Sequence, residues 1–186
     1  MRWTFAFLLA TLAAAPAAAG PHGSGSMPTG AGPSLPAPAA GWVAVPDPQP
    51  PRRASYVLPR ERGDTRDAEL VVFFFGEGNG GSAEANVARW KTLFEPPAGR
   101  SIDDVTSVKT REQGKQRVTI VDISGTYLYR ARPVDSSIEP ERRPGHRMIA
   151  AAVEGPAGPY FVRLVGPART VARHQKAFDA WLARLR

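Results

Sequence analysis

Glu69-Leu70-Val71-Val72-Phe73-Phe74-Phe75 is the stretch on which the fold turns. Successive side chains of a strand point to opposite sides, so a strand over 69–75 is apolar on both faces. Such a strand needs cover on both sides. A glycine-rich loop, Gly76-Glu77-Gly78-Asn79-Gly80-Gly81, follows it, and a helix is predicted over 82–94. Val87, Trp90 and Phe94 fall at i, i+3 and i+7 and make one apolar stripe. Gly81 is the expected N-cap, which puts Glu84 in the first turn, where a negative charge suits the helix dipole. Pro96-Pro97 ends the segment.

Toward the N-terminus, Trp42-Val43-Ala44-Val45 predicts a short strand stopped by Pro46, and 54–58 predicts a second. The prolines of 48–51 connect them, and a charged turn around Gly63 leads into 69–75. Toward the C-terminus, strands over 105–112 and 116–123 are joined through Gln113-Gly114-Lys115, a hairpin signal. Gly125 is expected to mark a bulge before a strand at 127–130. Residues 132–147 read as a polar, proline-broken loop. A second hairpin pairs 148–153 with 160–165 across Gly155-Pro156-Ala157-Gly158-Pro159. Gly166-Pro167 opens a last helix with proline at its first position. In it Val171, His174, Phe178, Trp181, Leu182 and Leu185 keep helical spacing, and His174 reads as a core-edge histidine. The sum is an α+β chain. It predicts a mainly antiparallel sheet of about six or seven strands with helices on both faces. No internal repeat is evident.

The first residues address the compartment. Arg2 is followed by an apolar run over 3–15 that contains only two threonines as polar residues. Pro16 breaks the run, and Ala17-Ala18-Ala19 supplies the small residues of a cleavage site. This is the layout of a signal peptide over 1–19, cut after Ala19, for a periplasmic or secreted protein. The run is shorter than the roughly 20 apolar residues of a membrane span, and no later segment comes close. Residues 20–40 are Gly, Pro, Ser and Ala with little that is large, and read as a disordered linker. His22 within it reads as spacer. Residues 41–186 then form a single α+β domain of common size.

The chain has no cysteine, which excludes disulfides, thiolate metal sites and thiol catalysis. Its formal net charge is +7. Such a balance argues for solubility first and for contact with anionic surfaces second. The last helix carries Arg169, Arg173, Lys176, Arg184 and Arg186 against Asp179 alone. It reads as a core-packing helix with a solvated basic face, or as a helix that lies on an anionic membrane. The aromatics sit on core faces and not beside the basic residues, which argues against nucleic acid.

Motifs of chemistry are scarce. The loop 76–81 matches G-x-G-x-x-G after a strand and before a helix, the setting of a dinucleotide site. The strands that follow are hairpins and not a parallel βαβ unit, so a tight β-to-α connection is the better account. Anion binding by its backbone amides stays open. His22, His146 and His174 are not paired at metal-ligand spacing, and Asp103-Asp104 reads as a solvent-facing pair. Nucleophile motifs are absent. No catalytic residue, metal or cofactor is expected. If a ligand site exists, the junction of loop and helix is the place to look. Its candidates are Glu77, Asn79, Asn86 and Arg89. Each also has a structural reading: Arg89 pairing with an acid, Asn86 capping a backbone group.

Several short motifs carry a resemblance. Gly41-Trp42, Arg53-Ala54-x-Tyr56, Phe75-Gly76 with Gly80-Gly81, and Asn86-x-x-Arg89-Trp90 with Phe94 form one set. Gly158-Pro159-Tyr160-Phe161 and Leu164-x-Gly166-Pro167 continue it. Together they resemble a group of uncharacterised exported bacterial proteins, which implies no catalytic residues. More distantly, the order of elements is similar to the Mog1/PsbP-like fold with its DcrB-type envelope proteins. That resemblance implies an opening "GW" strand, an antiparallel sheet between helices and a closing helix. Members of that fold generally act as binding or assembly accessories. The expected function is a non-catalytic periplasmic domain that binds a partner protein or small ligand in the cell envelope. The alternatives are a binder of anionic envelope surfaces through the basic helix, and an enzyme whose site the sequence does not display.

Overall fold

The computed structural model describes residues 35–131, 137–156 and 158–185. The expected signal peptide, His22, residues 20–34 of the expected linker and Arg186 lie outside the described residues. Among those described, eight strands form one open sheet in which every pairing is antiparallel. They are β1 (Val43–Ala44), β2 (Arg52–Leu58), β3 (Ala68–Phe74), β4 (Phe94–Glu95), β5 (Thr106–Gln113), β6 (Gln116–Tyr129), β7 (Glu141–Glu154) and β8 (Tyr160–Pro167). Helix α1 (Ala83–Lys91) follows β3, and helix α2 (Ala168–Leu182) closes the chain. The spatial order is β1-β2-β3-β8-β7-β6. Both β5 and β4 then pair with the outer edge of β6, β5 along its first half and β4 at Thr126 and Tyr127.

Alternation along the central strands divides the core in two. Leu70, Val72, Tyr160, Val162 and Leu164 point to one face, under Val171, Phe178 and Trp181 of α2. Phe161, Val165, Met148 and Ala150 point to the other, under Ala83 and Trp90 of α1. The two-sided cover that 69–75 demands is therefore supplied by helices on opposite faces. Burial of each large apolar side chain contributes about 1.5–3 kcal/mol. Leu58, Leu70, Leu164, Phe178 and Trp181 are fully enclosed.

Several expectations are corrected. The sheet has eight strands, not six or seven, because the chain leaves α1 at Lys91 and pairs Phe94 with Tyr127 as the short β4. Phe94 still faces the core that its helical spacing assigned it, beside Val87 and Trp90. Ser82, not Gly81, caps α1: its hydroxyl accepts from the amide of Ala85 at 3.2 Å. A side-chain oxygen satisfies an orphan N–H there, and glycine has none to offer. The expected strands 116–123 and 127–130 are one strand, β6. Its pairing with β7 shifts register between Gly125 and Tyr127, where Thr126 faces Pro144 and Gly145. The extra residue thus sits in β7, with Gly145 at φ +67°.

The expected loop 132–147 is strand from Glu141 onward, while 132–136 lie outside the described residues. Pro144 fits because a bulge is where a strand tolerates the missing N–H. Pro167 is the N-cap of α2 and the last residue of β8, not the first helical residue. At the other end, the packed chain reaches back to Leu35 rather than beginning at Gly41. Leu35 and Ala39 lie on the α2-side core. The indole N–H of Trp181 donates to the carbonyl of Pro36 at 3.1 Å. Among the described residues no helix is long and apolar enough to cross a membrane.

Candidate functional site

The glycine loop and the start of α1 hold themselves together. Asn86 is buried, and its amide donates to the carbonyls of Gly80 and Ser82, each at 2.9 Å. Its oxygen accepts from Arg89, so Arg89 finds an amide and not an acid. Asn79 donates to the carbonyl of Glu77 at 3.0 Å, and both side chains are exposed. Gly80 is obligatory, because a Cβ there would stand 2.5 Å from the Phe161 ring at φ +91°. The four candidates are neighbours. The capping role expected of Asn86 is the one it performs, and its bonds are spent on the loop.

Other readings find their places too. His174 is buried on α2, with Nε2 at 2.9 Å from the carbonyl of Pro59. Asp103 is exposed and pairs with Lys91 at 2.6 Å, and Asp104 accepts from the amide of Ser101 at 2.8 Å. Among the described residues no group of three or more His, Asp or Glu could hold a metal ion. The apolar stripe of α2 is consumed by the core, which leaves only its charged face outward.

A different concavity opens where α1 stops. Helix α1 is short and covers one part of its face of the sheet. Beyond its C-terminal end a cavity of about 480 Å³ is lined by Arg52, Glu69, Leu93, Tyr127, Tyr129 and Arg163 among others. A smaller one of about 50 Å³ adjoins it, sharing Glu69, Tyr127 and Tyr129 and adding Arg66, Arg143 and His146. The geometry follows from strand alternation. Arg163 pairs laterally with Val71 of β3 and Ala150 of β7, so it shares the α1 face with Phe161 and Val165. Glu69 and Phe73 stand on the same face of β3. Tyr127 and Tyr129, two apart on β6, share it as well.

Within this groove the arginines lie on rings. The Arg143 guanidinium sits 3.6 Å from the Tyr129 centroid and binds Glu141 at 2.7 Å. Arg52 and Arg163 flank Phe73 at 5.9 and 5.6 Å, and Arg52 also pairs with Glu69 at 3.3 Å. The Nε of Arg143 and of Arg163 is buried without a hydrogen-bond partner. Each such N–H costs about 1–3 kcal/mol if left unpaired. Burial pushes the Tyr127 hydroxyl pKa up, with Glu69 adding to the rise while Arg163 and Arg143 oppose it. Burial pushes the His146 pKa down, although its Nδ1 bonds the carbonyl of Pro144 at 3.0 Å.

Sequence reasoning missed this groove. Its signal was present: Arg163 is the one charge in Tyr160-Phe161-Val162-Arg163-Leu164-Val165, an otherwise apolar strand. The fold and the groove together define an α+β chain with a concave, cationic sheet face. No protein-family model matches the chain, and no curated protein matches it either.

Proposed function

We propose that this chain is an exported, non-catalytic binding domain, which holds a small ligand or a partner protein in the groove beside α1. The observation that carries the reading is a concave site of ligand size lined by Arg163, a half-buried cation with no ion pair among the described residues. A groove built only for stability would be filled by apolar side chains or would pair that cation internally. Export rests on the leader layout of residues 1–19. The antiparallel sheet with a helix on each face, the second of them following the last strand, supports the resemblance to the Mog1/PsbP-like fold. Binding and assembly roles are the usual ones for that fold, an argument by analogy. Asn86 and Arg89 stand on α1 and tie it to the glycine loop, and contact with the occupant falls to Arg163, Arg143 and the two tyrosines.

Native mass spectrometry of the protein released gently from the periplasm tests this. Extra mass that leaves on unfolding, or a protein that remains attached, is the expected result. A bare chain mass with nothing co-purifying would overturn the reading.

A further inference from the structure

Arg163, which flanks the Phe73 ring, is out of place in its strand. It stands in the middle of β8, between strands whose facing residues, Val71 and Ala150, are fully buried and apolar. A valine or leucine there would complete the face. Instead the chain carries a half-buried guanidinium that makes no ion pair among the described residues and whose Nε lacks an acceptor. Glu69, the acid that lines the same cavity, is engaged by Arg52. Five arginines line the two adjoining cavities with Glu69 and Asp67. Arg52 pairs with Glu69, and Glu141 from outside the lining pairs with both Arg66 and Arg143, which leaves Arg163 without such a partner among the described residues. An unpaired, partly buried cation is costly, and like charges gathered in a shielded cleft add to the cost. A negatively charged occupant would remove both costs.

The planar guanidinium fork matches a carboxylate or a phosphate with two parallel hydrogen bonds. The cavity is also too large for an inorganic anion alone. Tyr127, Tyr129 and Leu93 make part of its wall apolar. Resting on the binding function proposed above, we infer that the groove takes a soluble organic oxyanion, a carboxylate or phosphate ester with a compact apolar body. Arg163 anchors the charge, Arg143 stands at the far end, and the tyrosine wall receives the body.

Phenyl phosphate and benzoate are suitable probes, with benzamide as the uncharged match and phosphatidylglycerol vesicles as a lipid source of phosphate. Calorimetric titration of the periplasmic protein should show both oxyanions binding at low salt, weakening as salt is added, and benzamide failing. Arg163→Gln should lower phenyl phosphate affinity tenfold or more, and Arg163→Lys should fall between. Arg173→Gln, on α2 across the sheet, should leave affinity unchanged. Backbone amide shifts of the unaltered protein on adding phenyl phosphate should centre on β8 and the end of α1, a readout that needs no variant to fold. Equal binding of benzamide and benzoate, or shifts elsewhere, would overturn the oxyanion while the binding function stands. Binding only to vesicles, lost in Arg173→Gln and kept in Arg163→Gln, would overturn both in favour of the basic helix.

Discussion

At the scale of single residues, Asn86 and Gly166 mark two kinds of dependence. The Asn86 carboxamide occupies two backbone carbonyls at a buried junction. Asn86→Leu, close in size, would strip both of their donor. We expect a loss of about 1–3 kcal/mol in urea denaturation, with α1 the first element to exchange its amides. Gly166 lies where β8 passes close to β3. A Cβ there would meet the Cβ of Ala68 at 2.6 Å and its Cα at 2.7 Å. Gly166→Ala should therefore destabilise by about 1–3 kcal/mol, read as a lower melting temperature, because backbone and not a flexible side chain must yield. Neither cost is visible from residue type alone. Asn86 is a candidate by sequence because it stands on the helix beside the polar glycine loop, and the structure shows its amide engaged by the carbonyls of Gly80 and Ser82.

Elements differ in how far they could be read. Helix α2 was legible, since Val171, His174, Phe178, Trp181 and Leu182 recur at helical spacing and all are buried. The first half of β7 was not. Glu141, Arg142 and Arg143 offer no apolar alternation, and Pro144 argues against a strand. They extend because β6 is already there to pair with, Arg143 opposite Tyr127 and Arg142 opposite Leu128. Composition misled in the same way at 35–39. A segment of Pro and Ala reads as tether, yet Leu35 and Ala39 lie on the α2-side core and Pro36 accepts from Trp181. A chain shortened to begin at Gly41 should melt several degrees lower than one that keeps 35–40. Equal melting temperatures would show that this contact contributes nothing.

At the scale of the whole molecule, His146 contributes a pH dependence of stability with a definite sign. It is buried against Tyr127, with ring centroids 6.3 Å apart, beside Arg143 and Arg66. Burial first, and then those two cations, hold its folded pKa below the ordinary 6.5, against the pull of the Pro144 carbonyl and Asp64. The unfolded chain therefore takes up the proton first, and stability falls as pH drops below about 6.5. Comparing urea midpoints at about pH 7.5 and 5, we expect His146→Gln to lose less stability than the unaltered chain over that interval. The same groove gathers Arg66, Arg143 and Arg163, so an oxyanion bound there should also steady the fold at low ionic strength.

Local pattern by itself determined that this is an α+β chain with a two-sided central strand, a hairpin-rich sheet and a closing amphipathic helix. Those features rest on periodicities of 2 and 3.6, which a strand or helix imposes on its own residues. Only the tertiary structure decided that Arg52, Glu69, Tyr127, Arg143 and Arg163 share one concave face. They come from β2, β3, β6, β7 and β8. What brings them together is strand order, the register shift at Gly125, and a helix α1 too short to cover its side of the sheet. Each of these is set by long-range pairing, and none is written in the local pattern of any one segment.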